Sequence, residues 1–115
     1  MTKINSSRIN VMVADMDIAI AFYTQKLGLK LLNHYGPYYA EVKAPDLLIG
    51  LHPKSDKTVV GNNMSIGFGV NEFDLAVEQL KTEGIPIETE NDGYIRLAHF
   101  NDPDNNSLFL AENKS

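Results

Sequence analysis

The sequence predicts an α+β fold made of two tandem βαβββ modules, and three observations carry that prediction. The first is an internal repeat. Read from Ile9 the chain runs INVMVADMDIAI, and read from Ile66 it runs IGFGVNEFDLAV. An offset of 57 carries Ile9 onto Ile66, Val13 onto Val70, Asp17 onto Asp74 and Ala19 onto Ala76, with Met16, Ile20 and Tyr23 falling on Phe73, Val77 and Leu80. One supersecondary unit used twice produces this pattern. The second observation is a change of hydrophobic period, from two to about 3.6, at the same point in both copies. The third is turn punctuation at matching places behind each helix. Two copies related by a pseudo-twofold are expected to form a cleft of curved mixed sheet with the helices packed outside, and such clefts hold small molecules.

Each element has its own cause. Arg8 to Val13 alternates as a half-buried strand does, and Asp15 is placed to cap a helix whose stripe is Met16, Ile20, Tyr23 and Leu27. Gly28 stands where a helix ends in the left-handed conformation. Strands are expected from Leu29 to Tyr35, Tyr38 to Lys43 and Leu47 to His52, broken at Gly36-Pro37 and Pro45-Asp46. The second copy repeats the order: strand Ser65 to Val70, helix stripe Phe73, Val77 and Leu80, and a stop at Gly84. Strands from Ile85 to Glu90, Tyr94 to Phe100 and Ser107 to Ala111 follow, broken at 91–93 and 102–106. The polar stretch 53–63 reads as the linker, so module one covers about 8–53 and module two about 63–113 of one domain, residues 1–115.

Bulk properties exclude several classes. The chain has 115 residues, a common domain size. It has no cysteine, which excludes disulfides, thiolate zinc and thiol nucleophiles. No apolar run approaches a membrane span and no secretory leader is visible, so no membrane partner and a cytoplasmic location are the expectations. A net charge of −5 with scattered lysines argues against nucleic acid.

Two motifs resemble a known family. Val13-Ala14-Asp15 followed by Phe22-Tyr23 and Leu27-Gly28 is similar to the V-x-D…FY…LG signature of the vicinal oxygen chelate superfamily, which includes glyoxalase I, extradiol dioxygenases, fosfomycin-modifying enzymes and bleomycin-resistance proteins. Tyr94, Arg96, Phe100 and the run from Asp102 to Asn106 resemble its C-terminal element, with Asn105 where glycine is usual. Asparagine also accepts positive φ. The resemblance spans about residues 8 to 112 and implies the tandem fold.

The resemblance also implies a metal held by the first and last strands of each module, at Arg8, Gly50, Ser65 and Phe109 in this chain. Arginine cannot act as a ligand, glycine and phenylalanine offer no side-chain donor, and serine is a poor lone ligand. No metal and no cofactor is therefore expected. His34, His52 and His99 read as partly solvated strand-end histidines; His52 shares the cleft parity of Gly50.

Strand parity names the cleft walls. Arg8, Asn10 and Met12 come from the first strand, Leu48, Gly50 and His52 from the fourth, Ser65, Gly67 and Gly69 from the fifth, and Ser107, Phe109 and Ala111 from the last. Glycine weakens a strand unless something comes close to it. Tyr39 and Arg96 complete the candidate ligand-binding set; Arg96 and His99, three apart, cannot both face the cleft, and Arg96 is preferred because it matches the motif of the resembled family, although an arginine paired with Asp102 or Glu112 is an equal reading. No catalytic residue is assigned. The walls suit a small organic ligand with an anionic or carbonyl group oriented by Arg8, as in sequestration of the bleomycin-resistance kind. Two alternatives stay open: a lyase or dioxygenase relative with a non-standard or absent metal site, and a structural dimer with a filled cleft. A homodimer is expected, with Ile18 and Phe22, off the core stripe, as candidate interface residues.

Overall fold

The computed structural model describes residues 3, 6–54, 60, 61 and 64–113. The expected linker 53–63 lies largely outside them. The chain divides into two compact units, Met1–Val60 and Gly61–Ser115.

The first unit is one four-stranded mixed sheet with a helix on one face. Its strands are β1 (Ile9–Val13), β2 (Lys30–Tyr35), β3 (Tyr39–Ala44) and β4 (Leu47–Pro53), in the order β1-β4-β3-β2. β1 and β4 run parallel with Asn10 opposite Gly50, while β3 runs antiparallel to both neighbours. A parallel pair needs a crossover, which the helix and the β2–β3 hairpin supply. Helix α1 (Met16–Ala21) starts where Asp15 Oδ1 accepts from the Ile18 N–H at 3.0 Å. It packs on β3 and β4, where Ala40, Val42, Ile49 and Leu51 are buried, as are Val11 and Val13 of the adjoining β1.

The helix does not keep the expected stripe. Phe22–Lys26 forms a π-helical turn, in which the Leu27 N–H reaches back five residues to the Phe22 carbonyl at 3.1 Å. Met16, Ala19, Phe22 and Tyr23 are all buried, whereas Ile20 and Leu27 of the expected stripe are only half-buried. Phe22, 6% exposed, is therefore a core residue and not a surface contact, whereas Ile18 remains 55% exposed. Gly28 ends the helix at φ +76, as its position predicts.

The second unit repeats the plan with β5 (Ser65–Val70), α2 (Phe73–Thr82), β6 (Glu88–Asn91), β7 (Arg96–Asn101) and β8 (Ser107–Glu112), in sheet order β5-β8-β7-β6. Phe73, Val77 and Leu80 bury one face of α2 against Ile66, Ala98, Phe100, Leu108 and Leu110 of the sheet. β6 begins later than expected, because Ile85 and Pro86 close the helix end; the Ile85 N–H caps the Leu80 carbonyl at 3.1 Å. The turn before β8 is held by Asp102, 4% exposed. Its carboxylate accepts from the Asp104 and Asn106 N–H groups at 2.9 and 2.8 Å and from Asn106 Nδ2 at 2.8 Å, while Asn105 takes φ +65. Among the described residues no helix is long and apolar enough to cross a membrane.

Candidate functional site

Covering one face of each sheet with a helix leaves the other face open, and strand pairing orders the side chains there in rows. On the first unit the middle row is Asn10, Gly50, Glu41 and Asn33, and the row beside it is Met12, His52, Tyr39 and Tyr35. Arg8 precedes β1 and its guanidinium lies 5.4 Å from the centre of the Tyr39 ring, while its Nε donates to Asn10 Oδ1 at 3.3 Å. The Tyr39 hydroxyl donates to Glu41 Oε2 at 3.0 Å, and Asn33 Nδ2 donates to Glu41 Oε1 at 3.4 Å. Tyr35 stacks on Tyr39 with ring centres 6.4 Å apart. His52 Nδ1 sits 2.7 Å from the Pro53 carbonyl.

Gly50 makes this cluster possible. A Cβ there would collide with Asn10 Oδ1 and stand 2.8 Å from the Tyr39 hydroxyl oxygen. The close neighbours that a strand glycine requires are thus Asn10 and Tyr39. Burial, then the hydrogen bond to the Glu41 carboxylate, push the Tyr39 phenol above its ordinary pKa, with Arg8 opposing them. Arg8 itself is exposed, and among the described residues no carboxylate comes within ion-pair distance of it. Its two terminal nitrogens face no hydrogen-bond partner among those residues.

On the second unit the open face carries Ser65 opposite Ser107, and Gly67 opposite Phe109, which is opposite His99. The Phe109 ring lies over Gly67, where a Cβ would stand 2.5 Å from Cε2 and collide with Cζ. His99 Nε2 pairs with Glu90 Oε1 at 2.8 Å, and its ring centre is 6.2 Å from that of Phe109.

Of the two readings of Arg96, the pairing with Glu112 is the one that forms, and the cleft-facing one is not. Its guanidinium lies on the helix side, 4.6 Å from the Phe73 ring centre, held by Asp74 Oδ1 at 2.8 Å and Glu112 Oε2 at 2.9 Å. The hydrogen bonds it donates to Glu112 and then Asp74 raise its pKa. The physical reason is strand parity: Arg96 shares its side with buried Ala98 and Phe100, so His99 takes the open side. Arg96 clamps β7, β8 and α2 together and does not join the open-face residues. Sequence reasoning left Asn33 and Glu41 out of the candidate set; the alternation Tyr39, Glu41, Lys43 carried the signal for Glu41.

The residues at the positions implied for a metal do not fit a divalent ion. Gly50 has no room for a carboxylate, the Phe109 ring covers Gly67, and Arg8 is a cation. Among the described residues no group of three or more His, Asp or Glu side chains converges to hold an ion.

Residues 5–109 match the family model of the Glyoxalase/Bleomycin resistance protein/Dioxygenase superfamily. Among curated proteins no relative matches. Solved structures similar to this chain include TnmS3, an antibiotic binding protein from Streptomyces sp. CB03234, at 23% identity and TM-score 0.83, covering 99% of each chain. The fosfomycin resistance protein FosX from Listeria monocytogenes is similar at 19% identity and TM-score 0.79, covering 98% of this chain and 96% of its own. Lactoylglutathione lyase from Agrobacterium tumefaciens is similar at 18% identity and TM-score 0.73, covering 96% of each chain. At these identities the likeness is one of fold.

Proposed function

The chain belongs to the Glyoxalase/Bleomycin resistance protein/Dioxygenase superfamily, and from that premise we propose that it binds a small organic ligand without a metal, sequestering it on the open face of the first sheet. One observation carries the reading. Where the family resemblance implies a metal ligand, the chain presents the Arg8 guanidinium, steadied by Asn10 and the Tyr39 ring and with its terminal nitrogens free of partners among the described residues. A guanidinium so placed can hold a carboxylate or carbonyl through parallel hydrogen bonds. The exposed position keeps Arg8 hydrated until a ligand arrives, so no buried charge has to be offset in the empty protein. Similarity of fold to an antibiotic binding protein supports binding as the class of function.

The test is calorimetric titration of chelator-treated protein against a panel of aromatic carboxylates. Arg8→Ala is expected to weaken binding about ten-fold or more, which is ~1.4 kcal/mol, with unfolding unchanged because Arg8 is on the surface. Stoichiometric metal in protein purified without an affinity tag, removed by chelator together with binding, would refute the reading. Pairing of two copies belongs to the same proposal, since exposed Ile18 and the solvent-exposed edge strand β2 leave surface for association. Sedimentation at micromolar concentration checks it: a single species near the 12.8 kDa of one chain would count against a dimer.

A further inference from the structure

The third row of the first unit's open face is basic. Lys30 on the edge strand β2 stands directly opposite Lys43 on β3, Lys43 stands opposite Leu48 on β4, and Arg8 lies just before the strand that pairs with β4. Directly opposite side chains are about 5 Å apart at Cβ, and like charges so placed destabilise a sheet. Among the described residues none of the three cations forms an ion pair. In a chain with 15 acidic and 10 basic residues, an uncompensated basic row is not what a solubilising surface supplies.

Beside this row lies a cavity of about 590 Å³, a volume that suits a small organic molecule. Arg8 and Lys43 line it together with the apolar Ile9, Leu32, Leu47 and Leu48. Asp46, on the β3–β4 turn, is its one carboxylate. The cavity thus joins an apolar floor to a cationic rim, and Lys30 extends the rim toward the sheet edge.

We propose that this cavity takes an amphipathic organic anion, its carboxylate, sulfonate or phosphate group held between Arg8 and Lys43 and its apolar body lying on Leu48, which stands opposite Lys43 on the same face. The proposal rests on the open-face reading above and names the ligand class for it. Arg8 gives directional hydrogen bonds, whereas Lys43 and Lys30 act as point charges that raise the local concentration of anions. Relief of the Lys30–Lys43 repulsion adds to the binding free energy, because the ligand's charge screens a contact that is unfavourable in the empty protein.

The probe is 8-anilinonaphthalene-1-sulfonate, compared with its uncharged counterpart N-phenyl-1-naphthylamine, titrated by fluorescence into the full chain. Saturable one-site binding of the sulfonate is expected. Lys43→Gln and Lys30→Gln should each weaken it about three-fold or more, Lys43→Arg should restore it, and the uncharged compound should respond to none of these changes. Both lysines are exposed, so the variants should melt with the parent; their unfolding curves establish this. If both lysine variants stay within about three-fold while Arg8→Ala weakens binding, this proposal fails and the open-face reading stands. If none of the three variants weakens binding, both fail. Absence of saturable sulfonate binding up to about 1 mM, the weak end of specific recognition, also overturns the proposal.

Discussion

Gly67→Ala should change the sign of its effect when Phe109 is removed. The strand backbone at Gly67 shows no positive φ, so the peptide itself admits any residue. What excludes a side chain is the Phe109 ring, against which a Cβ would stand 2.5 Å from Cε2 and 3.0 Å from Cε1. In the parent, forcing a methyl into that space costs roughly 1–3 kcal/mol by overpacking. Alanine in a strand interior recovers about 0.5–1 kcal/mol relative to glycine. The net expectation is a loss of about 0.5–2 kcal/mol, a lowering of Tm of about 2–8 °C for a chain of this size. In a Phe109→Ala background the obstruction is gone and only the strand preference remains, so Gly67→Ala should stabilise by about 0.5–1 kcal/mol. Guanidinium unfolding of the four proteins in this cycle gives a coupling of about 1–3 kcal/mol if the reasoning holds. Equal effects of Gly67→Ala in both backgrounds would refute it and would leave the glycine without a packing cause.

Asp102→Ala should be among the most destabilising single changes outside the apolar core. It leaves the buried Asn106 N–H, the half-buried Asp104 N–H and the Asn106 side-chain amide without their acceptor, a loss of about 3 kcal/mol, readable as a denaturant midpoint shift. Tyr39 should ionise above the ordinary phenol value, since burial and then Glu41 hold its pKa up. A folded-state pKa raised in this way contributes stability that is complete below pH ~10 and is lost as pH rises through the folded value. Tyr39→Phe should remove that alkaline loss, and early ionisation of Tyr39 in a tyrosinate absorbance titration would contradict the assignment.

Much of the architecture is readable from the chain because the repeat fixes it twice. Asp15, Gly28, Gly84 and Asn105 each perform the capping or turn role that their chemistry suggests. The π-helical turn at Phe22–Lys26 is not readable in the same way. The stripe Met16, Ile20, Tyr23, Leu27 leaves Phe22 out, although Met16, Ala19 and Phe22 share the buried side. Parity also located Arg8, Asn10, Met12, Gly50 and His52 on one face, because period two leaves no choice once Val11 and Val13 are buried. For Arg96 two readings stood open in the sequence, and the pairing with Glu112 is the one that forms, with Asp74 added. A motif match says that a residue is retained in a pattern, not which side of the sheet it serves, and its partners Asp74 and Glu112 lie 22 and 16 residues away. The basic row of Lys30, Lys43 and Arg8 depends on the β2–β3 register, which a bulge between Leu31 and Asn33 shifts.

Metal-free ligand recognition on the first sheet is tested most directly by amide chemical-shift mapping of chelator-treated protein with 8-anilinonaphthalene-1-sulfonate. The expected shifts concentrate on Arg8, Asn10, Tyr39, Lys43 and Gly50, and they are unchanged when Zn²⁺ or Ni²⁺ is added. Shifts confined to residues 61–115, or shifts that appear only after the metal is supplied, would contradict it.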